Sequence, residues 1–137
     1  MNEKIHNPRD SVALLKSISK KRQEHFGIIC LDGGMNVISK KVLFIGGESK
    51  ALIDEKIIFW EACTKKATAI ILFHNHPSGT DEPSFFDIDT TKKIEKACEV
   101  LGLHCLDHII ITKHSYFSFL EHNLMTKTES VETKVAE

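Results

Sequence analysis

The sequence contains no apolar stretch of 18 residues, and it does not open with a basic start, an apolar run and a small-residue cleavage site. This argues against a transmembrane helix and a secretory signal, and the expected location is the cytoplasm. Net charge is nearly absent: 18 Lys and Arg face 19 Asp and Glu, leaving -1 at neutral pH. With a pI near 6.7 the whole-protein field draws in neither nucleic acid nor an anionic membrane, so direct contact with either is not expected. The basic clusters Lys20-Lys21-Arg22, Lys40-Lys41, Lys65-Lys66 and Lys92-Lys93 are scattered among acids, as on solvated faces. There is no C-x-x-C pair either. Cys30, Cys63, Cys98 and Cys105 are dispersed, and all but Cys63 lie among apolar neighbours, which suits buried, reduced thiols in a reducing compartment. No internal repeat is visible.

What is present is the composition of one globular domain. At 137 residues with 42% hydrophobic side chains, the chain is long enough to bury a core without disulfide staples. Asn7-Pro8 with Asp10 marks a helix start, and Val12, Leu14, Leu15 and Ile18 give it an apolar stripe, so a helix is expected over about residues 8 to 22. Phe26 to Leu31 and Val37 to Ile45, separated by Asp32-Gly33-Gly34 and closed by Gly46-Gly47, predict an antiparallel hairpin. A second helix is expected over about residues 54 to 66, followed by a short buried strand from Ala67 to Phe73. Ser84 opens a third helix whose apolar set, Ile88, Ile94, Ala97, Cys98 and Leu101, keeps the 3.6-residue period until Gly102. Two strands are expected near 107 to 112 and 115 to 120. Residues 1–123 should form the single domain, with 124–137 a frayed polar tail.

One constellation carries chemistry. His74-Asn75-His76-Pro77-Ser78-Gly79 follows the end of the predicted buried strand, and Asp87 comes eleven residues after His76 in the first turn of the next helix. In extended chain, residues i and i+2 point the same way, so His74 and His76 could present ring nitrogens to one metal while Asn75 faces elsewhere. Pro77, Gly79 and Pro83 supply the turn chemistry that brings Asp87 back. Two imidazoles and a carboxylate suit zinc, although iron, cobalt or nickel accept the same ligands. Asp87 also sits three residues after Ser84, so the pair reads equally well as an N-cap serine with an acid at N3. The zinc deaminase signature, His-x-Glu followed by Pro-Cys-x-x-Cys, is missing, and the literal triplet His74-Asn75-His76 is weak evidence for the nucleases nicknamed for those letters.

The run His74-x-His76-Pro77-Ser78 with Ser84 and Asp87 resembles the metal motif of JAMM/MPN metalloproteases. More closely, Phe73 to Gly79 and Leu106-Asp-His-Ile-Ile-Ile111, with Ser118-Phe119 behind, resemble the C-terminal domain of the bacterial RadC proteins, over roughly residues 6 to 122. The resemblance implies an α/β fold of JAB/MPN, cytidine-deaminase-like architecture: a mixed sheet flanked by helices. It also implies a catalytic zinc ion on His74, His76 and Asp87. Glu24, two residues ahead of Phe26, matches the glutamate that takes a proton from water in this family, and Ser84 matches the serine that hydrogen-bonds the developing oxyanion. Ser78, Asn75 and His108 stay outside the catalytic set. Ser78 is expected to fix the loop, and His108 to be a satisfied core residue on an apolar strand.

The helix-hairpin-helix segment of full-length RadC proteins is not expected here. Where the family often reads His-Pro-Arg-Glu before the second helix, this chain has Asp54-Glu55-Lys56-Ile57, which changes the surface near the expected cleft. Two functions follow. The first is a zinc-dependent JAMM-type metallohydrolase that cleaves a peptide or isopeptide bond in an unidentified protein or peptide substrate. The second is a non-catalytic accessory or binding module linked to DNA repair or transfer, with the metal serving structure. A hydrolase needs Glu24, whereas a structural site would lose folding when His74 or His76 is replaced.

Overall fold

The computed structural model describes residues 3–46 and 52–126, so Gly47 and most of the expected tail lie outside the described residues. Helix α1 runs Pro8–Leu14, opened by Asn7, whose side chain accepts the Asp10 N–H, and by Pro8 at the first helical position. The single helix expected to residue 22 is instead two short pieces. At Leu15 the backbone leaves helical geometry (φ -107°, ψ 9°), its N–H closes a tight turn on the Val12 carbonyl, and α2 follows over Lys16–Ser19. The break seats both Leu15 and Ile18 in the core.

Strands β1 (His25–Leu31) and β2 (Val37–Ile45) form the expected antiparallel hairpin. Its turn is held by Asp32, whose Oδ1 accepts from the backbone N–H groups of Gly34 and Asn36, both at 2.9 Å. Helix α3 (Glu55–Thr64) is capped by Asp54 and leads into β3 (Ala69–Asn75). Helix α4 (Phe85–Leu101) ends at Gly102, whose φ of 75° gives the left-handed cap, and β4 (His104–Ile111) and β5 (Tyr116–Ser118) complete the elements among the described residues. Strand boundaries differ from expectation: β3 starts at Ala69 rather than Ala67, and β5 spans only Tyr116–Ser118. β3 continues two residues past Phe73, because His74 and Asn75 still pair with β1 or β4 on their flanks, and β4 starts at His104 rather than 107.

The five strands lie in the order β2-β1-β3-β4-β5. Only β3 and β4 are parallel, with α4 as their crossover, so the sheet is mixed and the fold is α/β. Alternation along β3 sorts its side chains onto two faces. Ile70 and Leu72 join Ile28, Cys30, Ile58, Ala62, Ile94 and Cys98 beneath α3 and α4. Ala69, Ile71 and Phe73 join Leu15, Ile18, Ile29, Leu31 and Ile109 beneath α1 and α2.

Cys30 and Cys98 are buried as expected, Cys105 is half-buried and Cys63 is exposed. Of the stretch expected to fray, Leu124 donates its N–H to the Phe119 carbonyl, and Thr126 bonds the Glu95 carboxylate through both N–H and hydroxyl. Among the described residues no helix is long and apolar enough to cross a membrane.

Candidate metal centre

The same alternation that builds the two cores sets the site. His74 continues the Ile70, Leu72 series on the α4 face, and His76 follows two residues on. Their Nε2 atoms stand 2.9 Å apart. Asn75, between them, points to the other face. There its Oδ1 accepts the His25 N–H at 2.6 Å and its amide donates to the Lys21 and Gln23 carbonyls. Asn75 therefore locks the link between α2 and β1, the segment that carries Glu24.

The return of Asp87 is built by the loop and the cap. Gly79 takes a φ of 92°, and Ser78 Oγ accepts the Thr80 N–H at 3.3 Å, so Ser78 fixes the loop. Ser84 and Asp87 form a reciprocal capping box: Ser84 Oγ accepts the Asp87 N–H at 3.1 Å, and Asp87 Oδ2 accepts the Ser84 N–H at 2.8 Å. The cap and the cluster turn out to be one arrangement. Asp87 Oδ1 lies 3.4 Å from His74 Nε2, while Oδ2, besides its cap bond, lies 3.3 Å from His76 Nε2.

Glu24 also reaches the cluster. One carboxylate oxygen of Glu24 and one ring nitrogen from each of His74 and His76 lie within 4.8 Å of one another, a group able to hold a metal ion. Glu24 and His76 are half-buried, whereas His74 and Asp87 are buried, so the cluster opens toward solvent at the first pair. All five residues singled out in the sequence, Glu24, His74, His76, Ser84 and Asp87, thus come together at one end of the sheet.

The electrostatics follow from burial and pairing. Burial pushes the Asp87 carboxyl up, but the hydrogen bonds and charge of His74 and His76 outweigh it and hold the group well below the usual carboxylate range. Burial pulls His76 down, yet Asp87, the Thr80 carbonyl and nearby Glu24 together leave it raised. His76 Nδ1 sits 2.7 Å from the Thr80 carbonyl, which can only accept, so Nδ1 carries a proton and Nε2 turns into the cluster.

His108 was placed by the sequence in the core, and it is fully buried there. Sequence reasoning nevertheless missed its contact with the cluster: His108 Nε2 lies 2.8 Å from His74 Nδ1, and His108 Nδ1 lies 2.6 Å from Thr91 Oγ1. The available signal was parity, since His108 and His74 occupy the same face of adjacent parallel strands, but the register joining them is not local information. Burial and the neighbouring His74 charge hold His108 well below the usual imidazole range.

A profile of the RadC-like JAB domain matches residues 5–124. UPF0758 proteins from two strains of Streptococcus equi subsp. zooepidemicus are each 44% identical over 108 residues, covering 79% of this chain and 48% of theirs. A UPF0758 protein of Streptococcus pyogenes serotype M49 is 40% identical over 112 residues, covering 82% of this chain and 50% of its own. The chain spans about half the length of the curated relatives it matches. With its mixed five-stranded sheet and this match over most of its length, the chain belongs to the family of RadC-like JAB domains.

Proposed function

We propose that the chain is a zinc-dependent metallohydrolase of the JAMM type that cleaves a peptide or isopeptide bond. The observation that carries this reading is the position of Asp87, whose two oxygens stand 3.4 Å and 3.3 Å from the Nε2 atoms of His74 and His76, with Glu24 beside them. Tetrahedral zinc with bonds of about 2.0–2.1 Å has ligand atoms roughly 3.4 Å apart. Asp87 meets the two imidazoles at that spacing through different oxygens, and the two Nε2 atoms stand closer, at 2.9 Å, so it is the donor set gathered here rather than a preformed tetrahedron that marks His74, His76 and Asp87 as the residues that would hold the ion. Two imidazoles and a carboxylate also suit zinc by ligand type. Glu24 shares the cluster and is half-buried, so a base there keeps access to water.

When bound, zinc supplies Lewis acidity that activates a water and polarises the scissile carbonyl. Glu24 accepts a proton from the attacking water and passes it to the leaving amine as the C–O bond forms and the C–N bond breaks. Ser84 donates its hydroxyl to the developing oxyanion, at the positive end of α4. The capping box holds Ser84 in place for this, because its oxygen is fixed by the Asp87 N–H. Membership of the JAB family supports the reading.

The test is metal content by plasma mass spectrometry, paired with turnover on a peptide and isopeptide panel. About one zinc per chain is expected, lost in His76→Ala and Asp87→Ala and kept in Glu24→Gln. Turnover should fall about 10²- to 10⁴-fold in Glu24→Gln. A wild-type chain that takes up no zinc when it is supplied would overturn the proposal, and undiminished turnover in Glu24→Gln would remove the role of Glu24.

A further inference from the structure

Three hydrogen bonds behind His74 have only one consistent set of donors. Thr91 Oγ1 lies 2.8 Å from the Asp87 backbone carbonyl one helical turn earlier, and a carbonyl only accepts, so the hydroxyl proton goes there. Thr91 Oγ1 must then accept from His108 Nδ1 at 2.6 Å, which places a proton on that nitrogen. His108 is wholly buried, stacked on Phe119 (centroids 4.7 Å apart) and edge-on to Phe26 (5.6 Å), surroundings in which an imidazole stays neutral. A neutral ring protonated at Nδ1 carries its lone pair on Nε2. The remaining bond, 2.8 Å between His108 Nε2 and His74 Nδ1, is therefore donated by His74.

We infer that His108 and Thr91 are positioning residues that fix His74 with its proton on Nδ1, so that Nε2 is the atom presented to the cluster. The role of Nε2 as a metal ligand rests on the hydrolase reading above, whereas the direction of the hydrogen-bond chain rests on the hydrogen-bond geometry and the burial of His108. The chain begins and ends on the cluster: it starts at one imidazole and closes on the backbone of Asp87. The ring plane of His74 is fixed on its other side by stacking on Phe26, at 5.7 Å and 20°. An outer hydrogen bond that sets ring orientation and tautomer typically changes metal affinity by about 10- to 100-fold when it is removed.

The experiment is long-range proton–nitrogen correlation on the full ¹⁵N-histidine-labelled chain, with zinc affinity measured against a competing chromophoric chelator. His108 should be found protonated at Nδ1 with Nε2 accepting. In His108→Phe, which fills the slot between Phe26 and Phe119 but accepts no proton, zinc affinity should fall about 10- to 100-fold. In His108→Gln, whose amide oxygen can replace Nε2, most of that loss should be restored. Thr91→Val should leave His108 a mixture of tautomers while the fold persists. Finding His108 protonated at Nε2 in the wild type would overturn the inference, as would a folded His108→Phe that binds zinc within about twofold of wild type. Failure of the wild type to take up zinc would strike the hydrolase reading instead, and the tautomer measurement would still decide the role of His108.

Discussion

Asp107 is a carboxylate buried outside the cluster, and its contacts explain why the strand tolerates it. Oδ1 accepts the N–H groups of His108 and Leu120 at 2.7 and 2.9 Å, and Oδ2 accepts the Ser118 hydroxyl at 2.7 Å, tying β4 to the turn after β5. Burial pushes its pKa above the usual 3.8, although the three hydrogen bonds oppose that shift. The ionised form is thus the disfavoured one in the fold, and the stability contributed by the protonated carboxyl is present below pH 3.8 and lost as pH rises through the folded value. Asp107→Asn keeps an oxygen for the two backbone donors and lets Ser118 reverse its hydroxyl. Its urea stability should lie within about 1 kcal/mol of wild type, and its standing relative to wild type should improve as pH rises through that window. Asp107→Ala leaves two backbone donors unmet and should cost about 3 kcal/mol. A wild type that gains stability relative to Asp107→Asn as pH rises through that window would refute the assignment.

At the scale of elements, period and punctuation were legible and lengths were less so. The capped start of α4 and its glycine stop stood in the sequence because a serine, an acid at the third position and a left-handed glycine act locally. The break at Leu15 was hidden, because consecutive apolar residues at Leu14 and Leu15 look like a wide helical stripe until the core decides which is buried. The extension of β3 through Asn75 was hidden for a similar reason: polar side chains end an apolar run but not a hydrogen-bonded ladder. Gly27 is a feature whose need appears only in the folded hairpin. The register of β1 against β2 shifts between Phe26 and Gly27, and a Cβ at Gly27 would lie 2.1 Å from the Lys41 carbonyl oxygen and 2.6 Å from the Phe73 ring. Because one obstacle is backbone, side-chain repacking cannot relieve it. Gly27→Ala should destabilise the chain by about 1–3 kcal/mol in urea melts, and a variant within about 0.5 kcal/mol of wild type would show that the strands slide apart freely.

At the scale of the whole molecule, the cluster joins residues whose separation in sequence sets how visible they were. His74, His76 and Asp87 lie within one strand–loop–helix segment, so spacing and turn residues pointed to them. Glu24 arrives from 50 residues earlier and looks like any acid at a helix end, and only family resemblance pointed to it. His108 joins through the parallel β3–β4 register, a tertiary fact. The same architecture separates the folding core from the cluster. Each face of the sheet has its own apolar core, and neither includes a member of the cluster, so the driving force for folding does not pass through the cluster. Zinc bound at about 100 times its Kd would add about 2.7 kcal/mol, and a chain of this size gains roughly 3–5 °C of Tm per kcal/mol. Chelation should therefore lower Tm by roughly 10 °C while far-UV circular dichroism and amide dispersion at 25 °C stay as they were. Unfolding on chelation would contradict this separation and mark the ion as structural, favouring an accessory module over a hydrolase, because a site that only assists chemistry leaves two complete cores behind when it is emptied.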